Sequence, residues 1–144
     1  MAARLHAVQA LFQMEHSGQS ADAVAREFRD HRFGAEIEEG VAMAAADVAL
    51  FRAVLDGAVT WQARIDQMTD RALVARWPIA RIDPTLRALF RAAGAELVAS
   101  DAPPRVVISE YVEIARSFYP EGREGGFVNA VLDHMAREAR PEAF

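Results

Sequence analysis

The chain has 144 residues, enough for one domain that buries about 70% of the surface its unfolded form exposes, and with no cysteine it has neither a disulfide framework nor a thiolate metal site. A formal net charge of −5 argues against nucleic-acid binding by bulk electrostatics, so any such site must be local or shared with a basic partner. No run approaches the ~18 apolar residues of a membrane span, and a cytoplasmic protein is expected.

Helical periodicity starts at once. Leu5, Val8 and Phe12 share one face of an opening helix that Gly18 can end, and a shorter helix after Ser20 turns Val24 and Phe28 inward. His31 to Gly40, with Gly34, Gly40 and the acidic Glu36, Glu38 and Glu39, reads as a loop. From Ala44 to about Thr60, Val48, Phe51, Leu55, Ala58 and Val59 form a wide apolar stripe, continued after a bend by Ile65, Met68, Ala72 and Leu73; this is the expected central helix. Asp83-Pro84 is a helix start, an N-cap aspartate followed by proline at the first helical position, where its missing N–H costs nothing. The helix it opens runs to about Ala99 with Leu86, Leu89, Phe90, Ala93 and Leu97 inward, and places Arg87 and Arg91 one turn apart on an exposed flank. Pro103-Pro104 restarts the chain. Val107, Ile108, Tyr111, Val112 and Ala115 then face the core until Tyr119-Pro120 stops that helix. A last helix from near Gly125 buries Phe127, Val128, Val131, Leu132 and Met135, with Asn129 and Asp133 opposite. No segment alternates polar and apolar residues, so the pattern predicts an all-α bundle of about seven helices in one domain spanning 1–144, without repeat or linker.

Catalytic patterns are missing. His6, His16, His31 and His134 are scattered, no serine occupies a Gly-x-Ser-x-Gly elbow, and Gly122, Gly125 and Gly126 form neither a dinucleotide fingerprint nor a phosphate loop. Glu110 and Glu113 lie on a polar helix face, where carboxylates are ordinarily solvated. No catalytic residue, metal or cofactor is expected, and recognition is the remaining class. Its chemistry would draw on arginine, since all 16 cationic residues are arginines, each a planar fork for phosphate or carboxylate.

Four stretches carry a family resemblance. Ala3 to Glu15 contains Ala-Val-Gln-Ala-Leu-Phe; Phe90 to Leu97 is similar to Leu-Arg-x-Ala-x-Tyr-Glu-Leu; Pro104 to Ala115 is similar to Pro-x-x-Val-x-Ile-Asn-Glu-x-Val-Glu-Leu-Ala; Phe127 to Asp133 matches Phe-Val-Asn-x-Val-Leu-Asp. In this order they resemble the NusB antitermination factors. The resemblance implies an all-helical fold of two packed subdomains and a non-enzymatic role. It implies pairing with NusE, a small-subunit ribosomal protein, to bind boxA RNA within the RNA polymerase antitermination complex, especially on ribosomal RNA operons. Homodimers occur in the family. It also implies RNA contacts from Arg4, Gln9, Phe12, Arg87, Arg91 and Phe127, the rings offering stacking surfaces. Where family members carry several cations before the Ala-Val-Gln-Ala-Leu segment, this sequence has Arg4. Ser109 replaces an asparagine, Ala95 a tyrosine, and Gly125-Gly126 stands where a basic residue often precedes the phenylalanine. Weak RNA binding alone and stronger binding with the basic partner are expected. Two rival readings are the NusB-like domain of ribosomal RNA cytosine methyltransferases, to which a catalytic half would be joined, and a protein-only helical scaffold.

Overall fold

A computed structural model describes residues 2–33, 45–73, 82–120, 122 and 124–144. Its seven α-helices are α1 (Ala2–Ser17), α2 (Ala21–Glu27), α3 (Ala45–Thr60), α4 (Gln62–Ala72), α5 (Pro84–Ala99), α6 (Pro104–Phe118) and α7 (Glu124–Ala139). A π-helical turn over Phe28–Phe33 extends α2, a short 3-10 turn over Pro141–Ala143 follows α7, and no strand occurs among the described residues. The expected loop therefore begins later than His31; its residues from 34 to 40 lie outside the described ones.

The helix ends follow local chemistry. The Ser20 hydroxyl accepts the Ala23 N–H at 3.1 Å and the Asp83 carboxylate accepts the Thr85 N–H at 2.7 Å, each satisfying a donor the first helical turn leaves open. Gly18 closes α1 at φ 73°, a left-handed conformation that costs a side-chain-bearing residue about 1 kcal/mol, while its N–H reaches the Met14 carbonyl at 2.9 Å.

The central element is α5, not the α3 stripe expected from the sequence. It packs against α1, α3, α4, α6 and α7, and is buried nearly all round, from Leu86 through Ala88–Phe90 to Ala92–Leu97. Around it stand two sets, α1, α2 and α3 packed on one another, and α7 packed on both α4 and α6. Small residues set the spacing. A methyl added at Gly94 would fall 2.4 Å from Ile65 Cγ2 on α4, and one at Gly57 on α3 would fall 3.2 Å from Ala95 Cβ, so both helices approach α5 closely because those side chains are absent.

Alanine also shifts the face of α1. Its buried side is Ala3, His6, Ala7, Val8, Ala10 and Leu11, whereas Leu5, placed on the same face as Val8 and Phe12, is half-buried and Phe12 is 37% exposed. An alanine lets two helix backbones close up and so buries fully, which a scan weighted toward large residues overlooks. Val59 on α3 likewise points to solvent rather than into the stripe. Where α5 ends, Arg140 donates to the carbonyls of Glu96, Leu97, Ser100 and Ala102 at 2.6–2.9 Å, placing a cation on the negative end of the helix dipole.

Candidate nucleic-acid interface

Three of the expected RNA contacts are arginines, and the fold engages all three with carboxylates. Arg4 sends Nε and a terminal nitrogen to the two oxygens of Glu96 at 2.8 and 2.9 Å, and Tyr111 donates its hydroxyl to the same carboxylate at 2.6 Å. Glu96 is 2% exposed and the Arg4 side chain 12%, so this triad ties α1, α5 and α6 together in the interior. The hydrogen bond to Glu96 pushes Arg4 further into its charged form. Burial first, then the Glu96 charge, pushes the Tyr111 phenol well above its usual range, so it stays a donor.

Arg87 and Arg91 do not share an exposed flank. Arg87 donates to Glu15 on α1 at 2.7 Å and to the Ile82 carbonyl at 3.2 Å. Arg91 forms a fork on Asp66 of α4, both bonds at 3.0 Å. Their side chains are 12% and 16% exposed. Because α5 sits between other helices, any long side chain on its flank lies along a neighbour, and each guanidinium finds the neighbour's carboxylate. Sequence periodicity sees the flank but not the helix that covers it.

Gln9 and Phe12 are brought together. They line an open groove of about 530 Å³ with Val8, Gln13, Thr85 and Phe118, and the Phe12 ring stacks on His16 at 4.2 Å between centroids. His16 and Ser17 complete the lining and no arginine joins it among the described residues, so its mainly apolar surface suits an apolar or aromatic guest. Phe127, at the start of α7, is half-buried and meets Phe90 edge-on at 6.2 Å, leaving part of its ring available for stacking. Nearby, Tyr119 at the end of α6 is pushed up to about 12 by burial, then by its hydrogen bond to Asp83, joining that helix end to the cap of α5.

Two features were not identified from the sequence. Arg140 caps α5 from across the fold, and no local pattern marks it. A groove between α6 and α7 presents Arg105, Arg116, Ser109 and Asn129; its signal was the line of exposed polar residues spaced along α6. Among the described residues, no cluster of three or more His, Asp or Glu side chains could hold a metal, and no helix is long and apolar enough to cross a membrane.

Comparison with known proteins gives a consistent result. The model of the NusB family matches residues 1–137. The transcription antitermination protein NusB of Caulobacter vibrioides is 52% identical over 139 residues, covering 96% of this chain and 92% of that protein. Among solved structures, NusB of T. maritima aligns with a TM-score of 0.74 at 28% identity, over 99% of this chain and 94% of its own. A chain from the crystal structure of the antitermination factors NusB and NusE in complex with double-stranded RNA gives 0.74 at 23% identity, over 94% of both chains, a likeness of fold.

Proposed function

The chain belongs to the NusB family, and on that premise we propose that it is a non-enzymatic transcription antitermination factor of the cytoplasm. It pairs with NusE to bind boxA RNA, so that RNA polymerase resists termination, notably on ribosomal RNA operons. The observation that carries this reading is the near full-length correspondence with the C. vibrioides antitermination protein. The 52% identity to that antitermination protein favours the factor over the related methyltransferase domain.

The geometry divides the work between two kinds of surface. The groove holding Gln9 and Phe12 is mainly apolar and has no arginine among the described residues, and it takes an apolar side chain of NusE. Phe127 offers a ring face to an unpaired base. Arg4, Arg87 and Arg91 fix helices against one another, and reach phosphate only by leaving their carboxylates. The local RNA surface is small, which fits a protein of net charge −5 that relies on a basic partner.

Transcription in vitro tests the reading. With NusE and polymerase present, adding the chain should raise read-through of a terminator placed downstream of boxA, and a scrambled element should abolish the effect. Equal read-through on both templates refutes it.

A further inference from the structure

We propose that the groove between α6 and α7 holds the sugar–phosphate backbone of the bound single-stranded RNA, with Arg105 and Arg116 each taking a phosphate and Ser109 and Asn129 hydrogen-bonding the ribose. The assignment rests on the RNA-binding function proposed above and adds a path for the strand.

Arg105, Ser109, Val112 and Arg116 follow one another at helical spacing along one line of α6, and Asn129 of α7 forms the opposite wall of a groove of about 410 Å³. The two arginines are eleven residues apart, about 16 Å along the helix. Unlike Arg4, Arg87, Arg91 and Arg140, they are not consumed by the fold. Arg105 is exposed and makes no hydrogen bond or ion pair among the described residues. Arg116 lies 3.8 Å from Glu113, a well-exposed pair three residues apart that contributes little and is readily exchanged for a phosphate.

Gly125 explains how Arg116 reaches α7. A methyl at that position would sit 3.1 Å from Arg116 Nε and 3.2 Å from its Cγ, so the stem crosses the helix start where glycine leaves room. Ser109 and Asn129 are exposed and make no side-chain hydrogen bond among the described residues, leaving neutral donors and acceptors of the kind that meet a 2′-hydroxyl. Half-buried Ile108 and buried Val112 form the floor. Glu113 lies between the two cations, one turn from Arg116, and interrupts the positive charge along the groove, which therefore offers two separate contacts rather than a continuous basic track. Among the described residues the Gln9–Phe12 groove carries no arginine, so it offers a phosphate no guanidinium fork.

Salt-dependent binding of boxA RNA by the full chain with NusE, read by fluorescence anisotropy, tests the proposal. Arg105→Gln and Arg116→Gln should each reduce the slope of log K against log salt by about 0.7, and the double variant by about 1.4. Affinity should fall by the same factor for boxA and scrambled RNA, because backbone contacts carry no sequence information. Both side chains are exposed, and unchanged helicity and melting temperature will show that the variants fold. A wild-type slope in the double variant, with Phe127→Ala still weakening binding, overturns the groove assignment and leaves the RNA function standing. Loss of NusE association by the double variant makes the groove a protein surface and also overturns it. If the wild-type complex binds no RNA, the parent reading and this one fall together.

Discussion

Replacing Arg4 by methionine isolates the interaction that holds the two halves of the bundle together. Methionine retains much of the apolar stem but removes both bonds to Glu96, leaving a carboxylate that is 2% exposed with the Tyr111 hydroxyl as its remaining donor in the triad. Breaking a buried pair by deleting one partner costs roughly 3–5 kcal/mol, because the surviving charge has lost both water and its counter-ion. Against a typical total stability of 5–15 kcal/mol this is a large fraction, and a melting-temperature drop on the order of 10 °C follows. Urea unfolding followed by helical ellipticity measures it, and the cycle with Glu96→Leu separates pair from packing. The double variant Arg4→Met, Glu96→Leu should recover part of the loss, since an apolar pair leaves no stranded charge although the buried Tyr111 hydroxyl loses its acceptor. Boiled down to RNA, Arg4→Met should bind boxA with NusE as the wild type does once the folded fraction is matched. A stability loss under ~1 kcal/mol, or a double variant as unstable as Arg4→Met alone, refutes the reasoning.

Gly94→Ala places a methyl 2.4 Å from Ile65 Cγ2 and should destabilise the protein by about 1–3 kcal/mol in chemical denaturation, with Ile65→Ala on the same chain relieving the clash. Arg140→Met strips four carbonyls at the end of α5 of their charged donor and should cost about 2–3 kcal/mol, Arg140→Lys restoring part of it. Both tyrosines titrate high, Tyr119 at about 12 and Tyr111 well above 10. Above pH 10 the unfolded chain sheds phenol protons that the folded chain keeps, so the stability these groups contribute is complete below pH 10 and is lost progressively as pH rises through the folded-state values. Ultraviolet difference spectra should therefore show no phenolate near pH 10 in the folded protein, phenolate emerging together with unfolding.

What was legible in the sequence is what is decided locally. Asp83-Pro84, Pro103-Pro104 and Gly18 place helix ends to within a residue, because caps, prolines and left-handed turns act through their immediate neighbours. The stripes of α4 and α6 also match, since large aliphatic side chains there have one buried face. The misread positions depend on partners far along the chain. Ala3, Ala7 and Ala10 are core because α1 packs against both α3 and α5, where a small side chain lets backbones close up. Arg87 and Arg91 look solvent-facing until α1 and α4 bring Glu15 and Asp66 against them. The aromatic part of the candidate site was visible as Phe12 and Phe127, whereas the division between engaged and available arginines is a property of the folded molecule alone.

We propose that a rigid helical platform of modest RNA affinity becomes selective when joined by a basic partner. Equilibrium titration of labelled boxA and a scrambled strand of equal length, at one fixed salt concentration, with and without NusE, measures this most directly. The joint complex should prefer boxA by at least about tenfold, ~1.4 kcal/mol, and the chain alone should bind either strand more weakly. Equal affinity for the two strands, or an affinity that NusE leaves unchanged, contradicts it.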